Sequence, residues 1–273
     1  MTDRDFRFGV VAGLAGSGAQ WTATARRAEE LGYDILLVPD TVHTLAPLPA
    51  LAAAAAATGT LRVGTYVLSA PNRSPGLVAW ESRSMHLLTG GRFELGLGGG
   101  RPGADRDAAQ LGADFGTPAD RLRRVADTIR ALRESDGTPP PVLVAASRPR
   151  MLRLAAEQAD TVALGLPPHS TGDDLARTVA TLREMAGDRT PELHLNVAAV
   201  AEHAQAVPPE VARMVGGDPQ AMAAAGGIGF LLGTPEEIAE VLRRRRAELG
   251  ITYVAVNGMF LEQFAPVVAL LRA

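Results

Sequence analysis

The sequence contains neither cysteine nor lysine, so all 27 of its basic residues are arginine. Without cysteine, the chain has no thiol nucleophile, disulfide, iron–sulfur cluster or cysteine-bound zinc. Without lysine, it has neither the amine of a Schiff-base enzyme nor the phosphate-binding lysine of a P-loop. Genomic compositional bias is the simpler explanation of the missing lysine. These absences therefore exclude reaction classes without identifying one.

Aromatic residues and positive charge are also scarce. Only 4% of residues are aromatic and the net charge is −3, which excludes a basic, aromatic surface for nucleic acid. The longest apolar tract, 45–58, contains two prolines and is too short to span a bilayer. The polar start of the chain has no signal-peptide pattern. We expect a cytoplasmic protein that acts on a small molecule, with neither nucleic acid nor membrane as a partner.

The pattern along the 273 residues alternates between strand-like and helix-like segments, and 47% hydrophobic residues are enough for a large core. Predicted strands cover 6–12, 35–38, 61–68, 93–97, 142–145, 161–164, 193–200 and 252–256. Predicted helices cover 20–31, 49–58, 76–88, 118–134, 148–158, 171–186, 235–249 and 260–271. Eight such pairs predict an α/β fold, a single (β/α)8 TIM-barrel domain over residues 1–273.

The segment 201–229 interrupts this alternation before the last β/α unit. It is rich in glycine and proline and is longer than an ordinary connection. We interpret it as an insertion that extends over the mouth of the barrel as a lid.

A glycine cluster, Gly98 to Gly100, directly follows the predicted strand 92–97. Ligands of α/β proteins bind at the carboxyl ends of strands, where bare backbone lets a flat or charged ligand approach closely. The letters from Gly98 to Gly103 also satisfy the dinucleotide fingerprint. However, Pro102 and the polar stretch 104–109 fit poorly with the helix that this fingerprint requires. Dinucleotide binding and a purely structural turn are the alternatives.

Several motifs together resemble those of luciferase-like flavin and deazaflavin oxidoreductases, specifically the coenzyme F420-dependent branch. The most specific is Gly90-Gly-Arg-Phe-Glu-Leu-Gly-Leu-Gly, and further matching segments are 8–9, 25–40, 62–68 and 147–160. The resemblance implies a bacterial luciferase-like barrel that transfers a hydride between C5 of F420 and a small organic substrate.

The resemblance also implies how the cofactor is held. A cis peptide at Tyr66–Val67 would support the ring, arginines 101 and 106 would bind the acidic tail, and a helix capped by Ser147 would bind a phosphate. An ordinary trans strand and a capped helix with solvated arginines are the structural alternatives. The implied cofactor-binding residues are Asp40, Thr41, Tyr66, Val67, Leu68, Gly98, Gly99, Gly100, Arg101, Ala145, Ala146, Ser147 and Arg148.

The candidates for acid–base chemistry are His43 and Asp40, at the end of the second strand. This chain has Thr41 where the family often has histidine, so His43 is the nearest imidazole. A solvated loop histidine is the alternative. Residues bordering the substrate pocket are predicted to be Ser69, Asn72 and Arg73. The remaining histidines lack the mutual spacing of metal ligands, so we expect no metal site.

Two other functions stay open at this stage. One is a monooxygenase that uses reduced FMN and oxygen, and the other is a barrel that binds a flavin-like molecule without turnover. Because FMN has a single phosphate and no oligoglutamate tail, arginines that lead away from the mouth favour F420. The resemblance further implies a homodimer, although no segment of the sequence marks an interface.

Overall fold

The computed structural model describes residues 4–135 and 137–272. Its strands are β1 (Arg7–Val11), β2 (Ile35–Val38), β3 (Arg62–Thr65), β4 (Leu68–Ser69), β5 (Phe93–Gly98), β6 (Val142–Ala146), β7 (Thr161–Leu164), β8 (Glu192–Val197), β9 (Ala199–Ala201), β10 (Phe230–Leu232) and β11 (Ile251–Asn257). Its α-helices are α1 (Gly18–Glu30), α2 (Pro47–Ala56), α3 (Pro75–Leu88), α4 (Ala104–Gln110), α5 (Pro118–Arg133), α6 (Pro149–Gln158), α7 (Gly172–Ala186), α8 (Ala212–Val215), α9 (Pro219–Ala224), α10 (Pro235–Leu249) and α11 (Leu261–Arg272).

Within the described residues, eight parallel strands close into a barrel. The order β3-β2-β1-β11-β8-β7-β6-β5 runs around it, and the pairing of β3 with β5 completes the circle. The short strand β4 continues β3 after a break and pairs with the end of β5. The predicted luciferase-like TIM barrel is therefore confirmed.

Both faces of the barrel strands are buried, which explains their continuous apolar runs. In β2, Leu36 and Val38 belong to the core between strands and helices, whereas Ile35 and Leu37 belong to a second cluster inside the barrel. This alternation follows the two-residue period of a strand. The sequence of β2 thus fills two separate cores.

The helices begin at well-defined capping residues. Thr117, Thr171 and Thr234 each accept a backbone hydrogen bond three residues ahead and form complete capping boxes. These caps fix where the loops at the carboxyl ends of the strands turn into helices. No helix in the described part of the chain combines the length and apolarity needed to cross a membrane.

The opposite end of the barrel is closed by ion pairs. Arg7 contacts carboxylate oxygens of Glu94 and Glu192 at 2.6 Å each, and Arg62 also pairs with Glu94. The Arg7 guanidinium lies 4.5 Å from the ring centre of Tyr253 in the barrel interior. In the part of the chain that the structure describes, these ion pairs close the amino-terminal end of the barrel.

Two of the predicted strands divide, and short helices were not predicted. The strand predicted over 61–68 forms β3 and β4, on either side of the Tyr66–Val67 peptide. The predicted strand 193–200 divides at Ala198, because the amides of Ala198 and Ala199 both donate to the carbonyl of Gly229. Strand β9 consequently leaves the barrel and pairs with β10, which the sequence reading missed. The polar stretch after Gly103 is also helical: α4 buries Ala104 and leaves most of its polar side chains in solvent. The helix α4 lies at the rim of the barrel, and α5 is still the barrel helix that pairs with β5.

Candidate active site

A cavity of about 800 Å³ opens at the carboxyl ends of the barrel strands. It lies where the sequence predicted the active site, and its walls come from the loops after β2, β3, β5, β6 and β7. The predicted residues that line it are Asp40, Thr41, Tyr66, Val67, Gly98, Gly99, Gly100, Arg101, Ala145, Ala146, Ser147 and Arg148.

One residue predicted to bind the cofactor and one predicted to be catalytic lie elsewhere. Leu68 is only 1% exposed and packs in the core between strands and helices, because its backbone pairs with β5. Leu68 is buried outside the cavity, which corrects the prediction that it contacts a cofactor. His43 is exposed on the loop after β2 and is not among the lining residues. Its catalytic role stays a prediction, without support from its position.

The glycine cluster forms a tight floor beneath the cavity. A Cβ atom added to Gly98 would lie 2.7 Å from Cγ2 of Val67, closer than unbonded atoms approach. Gly100 has a φ of 96°, which favours glycine, and a Cβ there would lie 2.9 Å from the Phe115 ring. Gly99 has more space, since its nearest neighbour would be Met151 at 3.4 Å. Glycine at 98 and 100 is thus required by the surrounding structure.

The peptide bond between Tyr66 and Val67 is cis, as predicted. The Tyr66 ring lines the cavity and also contacts the buried ring of His194, with 4.9 Å between ring centres. Burial raises the pKa of the Tyr66 hydroxyl above its ordinary value, so the phenol keeps its proton at neutral pH. The cavity floor therefore has a neutral hydrogen-bond donor.

Asp40 is held by four hydrogen bonds from the end of β4 and the segment after it. It accepts from the amide of Ser69 at 2.9 Å, from Nδ2 of Asn72 at 3.3 Å, and twice from Arg73 at 2.7 and 3.1 Å. None of its hydrogen bonds within the described residues comes from His43, so the structure does not pair these two acid–base candidates. Ser69 lines the cavity, whereas Asn72 and Arg73 lie outside its lining and hold Asp40 in the wall.

The start of α6 presents free backbone amides to the cavity. The N-cap is Arg148 rather than the predicted Ser147, and no side chain bonds to the amides of the first turn. Pro149 occupies the first helical position and has no amide hydrogen, so no acceptor is needed there. Unpaired amides at a helix N-terminus favour an anion. The predicted phosphate position keeps its geometry even though the capping residue differs.

Four arginines surround this helix end and the glycine floor, and we call them the cationic rim: Arg101, Arg121, Arg148 and Arg150. Arg101 pairs with the buried carboxylate of Asp107 at 2.6 Å and remains 46% exposed. Arg106, predicted to assist Arg101, does not line the cavity. The guanidinium of Arg101 is therefore positioned from within its own loop.

Sequence reasoning missed the contribution of α5. Its first turn places Arg121 and Leu122 in the cavity wall, and Arg121 stacks on the ring of Phe115 at 4.2 Å. The Thr117–Pro118 capping signal marks a helix start at the mouth of the barrel, so it could have identified them. The insertion 201–229 contributes no residue to the lining. It rests on the loop after β7, where Gly229 donates to Pro168 at 3.0 Å.

The described residues contain no group of three or more histidine and acidic side chains that could hold a metal ion. The cavity lining instead combines apolar side chains, bare backbone and guanidinium groups. Such a lining suits an organic ligand that carries negative charge at one end.

Comparisons with known proteins agree with this geometry. A family model described as luciferase-like monooxygenase matches residues 7–212. The F420-dependent glucose-6-phosphate dehydrogenase of Beutenbergia cavernae is 32% identical over 165 residues, a match that covers 49% of this chain and 48% of that relative. The 4-hydroxyprotoasukamycin monooxygenase of Streptomyces nodosus subsp. asukaensis is 33% identical over 157 residues, covering 46% of this chain and 41% of that relative. The chain thus matches less than half the length of either relative.

Among solved structures, an F420-dependent secondary alcohol dehydrogenase in complex with an F420-acetone adduct superposes with a TM-score of 0.77. The superposition covers 99% of this chain and 100% of that one at 17% identity. At this identity the likeness establishes the fold alone.

Proposed function

Because the chain belongs to the luciferase-like monooxygenase family, we propose that it is an oxidoreductase that binds coenzyme F420 and transfers a hydride between C5 of the deazaflavin and a small organic substrate. The observation that carries the proposal is the cationic rim beside the glycine floor and the uncapped start of α6. Bound F420 would supply the hydride chemistry, and the protein would supply binding, orientation and exclusion of water.

The residues of the cavity fit a flat ring with polar edges. Gly98 to Gly100 leave the floor free of side chains, and Val67 projects beside them. The hydroxyl of Ser69 is buried in the wall without a hydrogen-bond partner among the described residues. A buried hydroxyl without a partner is costly unless a ligand or water completes it. Together with the Tyr66 phenol, it gives the floor two groups that can hydrogen-bond to a ring edge.

The charge of the rim favours F420 over FMN. One phosphate would need only the start of α6, with its free amides and Arg148. Arg101 and Arg121 lie on the loop after β5 and on α5, beyond that helix end, and add cationic groups that a single phosphate does not need. An acidic tail attached to the phosphate would use them.

The main alternative is a monooxygenase that uses reduced FMN, and the relative from Streptomyces nodosus is the observation that favours it. Titration of the purified protein with F420 and with FMN, each followed by fluorescence, separates the two. We expect F420 to bind in the micromolar range and more tightly than FMN. Micromolar binding of FMN without binding of F420 would refute the proposal.

A matched pair of variants tests the rim. Replacing Arg148 and Arg150 by alanine should weaken F420 binding by about five- to tenfold, because two cationic groups near a phosphate are removed. Arg153→Ala is the control, since Arg153 is exposed on the same helix but does not line the cavity. Equal affinities in the double variant and the control would remove the rim from the binding site.

The predicted acid–base role of His43 has its own test. If F420 binds and turnover with a panel of enones, imines and alcohols is found, His43→Ala should lower turnover. Unchanged turnover would eliminate the assignment. F420 binding without any change in its absorbance across that panel would instead favour a barrel that binds the cofactor without turnover.

We also propose that the chain forms a homodimer through α3. The exposed side chains Leu77, Trp80, Leu87 and Leu88 recur at helical spacing on one face, and Leu87 is 81% exposed. A two-fold axis would place this uncharged face against the same face of a second copy. Trp80→Glu should convert a dimer to a monomer in sedimentation velocity, whereas Leu111→Glu, on α4's far end, should not. A native monomer at micromolar concentration would contradict the proposal.

A further inference from the structure

The mouth of the barrel has a second half that the cavity lining does not include. Three large apolar side chains are exposed there: Leu14 at 76%, Met214 at 47% and Met259 at 47%. They lie on the loop after β1, on α8 of the insertion, and after β11. We call them the apolar rim. Since β8, β11 and β1 are neighbours in the barrel, these residues follow consecutive strands at the carboxyl end.

Contacts connect the three segments to one another. Nδ2 of Asn257, the last residue of β11, lies 3.2 Å from Sδ of Met214, and its Oδ1 accepts the amide of Met259 at 3.0 Å. A Cβ added to Gly258 would lie 3.1 Å from Cβ of Ala12, so the loop after β11 packs directly on the loop that carries Leu14.

The loop after β1 also reaches the wall of the cavity. Gly13 is buried, and a Cβ added there would lie 3.1 Å from Cδ of Pro39, which lines the cavity. The carbonyl of Gly13 accepts the amide of Leu45 at 2.8 Å, which fixes this loop against the loop after β2. The loop that carries Leu14 therefore packs against the cavity wall at Pro39.

The two halves of the mouth differ in charge. All four members of the cationic rim come from the segments after β5 and β6. By contrast, residues 12–17 and 257–261 contain no charged side chain, and the exposed Arg213 beside Met214 is the charged residue of α8. A ligand that crosses the mouth thus meets guanidinium groups on one side and thioether and leucine side chains on the other. Flexible methionines are well suited to hydrocarbon of variable shape.

We propose that the apolar rim binds the hydrocarbon part of the substrate, so that this site takes carbonyl compounds or alcohols with an extended alkyl group. The inference rests on the proposed function for the identity of the reacting group. The binding of the alkyl chain does not depend on the proposed function. Exposed apolar side chains next to a cavity lose contact with water when such a chain covers them. Each added methylene that reaches the rim should therefore strengthen binding.

Binding of a series of methyl ketones, from 2-butanone to 2-nonanone, tests this on the cofactor-free protein by saturation-transfer NMR. For side chains that are about half exposed, we expect affinity to rise about twofold per methylene once the chain is long enough to reach the rim. In a triple variant, Leu14→Ser with Met214→Gln and Met259→Gln, the ratio of affinities for 2-nonanone and 2-butanone should fall toward one.

Leu111→Gln is the matched control. Leu111 is 53% exposed directly after α4, among the segments that carry the cationic rim. It should keep the native ratio, and circular dichroism should show that the triple variant melts as the native protein does. Equal ratios in native protein and triple variant would overturn the proposal. A change in sedimentation rather than in ketone binding would also overturn it, since the rim would then be a protein interface.

These outcomes are separate from those of the cofactor titration. Loss of the alkyl dependence with intact F420 binding would refute the apolar rim and leave the proposed function standing. If affinity depends on alkyl length as expected but F420 does not bind, the proposed function would be refuted and the apolar rim would stand.

Discussion

His194 should make this protein lose stability in mildly acidic solution. Its ring is fully buried in the barrel interior, 4.4 Å from the ring centre of Tyr253 and 4.9 Å from that of Tyr66. Neither ring nitrogen has a hydrogen-bond partner among the described residues. Burial, and secondarily the positive charge of Arg7, lower the pKa of His194 from 6.5 to about 3. The folded protein therefore keeps this imidazole neutral well below neutral pH.

The lowered pKa gives the sign and the size of the effect. In the unfolded chain the imidazole binds a proton as pH falls through its ordinary pKa of about 6.5, whereas in the folded protein it stays neutral until about pH 3. The free energy of unfolding is thus undiminished by His194 above about pH 7, and it declines as pH falls from about 6.5 to about 3. From about pH 7.5 to about pH 5, a full shift removes about 2 kcal/mol of the free energy of unfolding.

Other shifted groups act in a lower range of pH. Hydrogen bonds at the protein surface lower the pKa of several carboxylates. The pKa of Asp120 falls to about 2, and that of Glu262 falls below its ordinary 4.5. Their contributions are lost only as pH falls below about 4.5, because the unfolded carboxyl groups begin to bind protons there. The interval from about pH 5 to about pH 6.5 therefore isolates the histidine.

Urea unfolding at a series of pH values measures the prediction. His194→Phe keeps an aromatic ring between the two tyrosines but cannot bind a proton, so its stability should change by about 2 kcal/mol less than that of the native protein between about pH 7.5 and about pH 5. His203→Gln is the control, because His203 is exposed on the insertion. Parallel pH profiles for the native protein and His194→Phe would show that the buried imidazole does not cause the acid sensitivity.

Two further substitutions test the fold close to the cavity. Gly96→Ala should destabilise the protein by more than about 3 kcal/mol, since the new Cβ would lie 2.0 Å from the Thr65 carbonyl oxygen, whereas Gly76→Ala on α3 meets no atom within 4 Å and should be neutral or stabilising in thermal melting. Arg73→Leu should cost about 3 kcal/mol because it leaves a buried carboxylate unpaired, while Arg177→Leu removes an exposed pair and should change stability by less than about 1 kcal/mol. Similar losses within either pair would contradict the corresponding steric or electrostatic argument.

The features that follow from local pattern could be predicted from the sequence. The continuous apolar run of β2 and the glycines after β5 located the barrel strands and the floor of the cavity. The resemblance to a family supplied the cis peptide at Tyr66–Val67, which composition and periodicity do not encode. These successes share one cause: each signal lies within a few consecutive residues.

The errors concern contacts between distant segments. Asp40 and His43 were both acid–base candidates because they follow the second strand, but Arg73 reaches Asp40 from the segment after β4 and binds its oxygens. Likewise, the strand predicted over 193–200 divides because Gly229, far along the chain, supplies the acceptor that draws it out of the barrel. A local pattern contains no information about such partners, and these tertiary contacts outweigh local preference.

The barrel interior also explains why the cavity stops where it does. Below Tyr66 in the cavity lining, His194 and then Tyr253 lie toward the ion pairs of Arg7, and the hydroxyl of Tyr253 is buried without a partner among the described residues. Unpaired buried polar groups cost about 1–3 kcal/mol each, so this column weakens the core of the barrel. The apolar clusters between strands and helices and the ion pairs at the amino-terminal end must offset that cost. Stability is therefore concentrated away from the mouth, and polar, incompletely bonded groups are concentrated beneath the cavity.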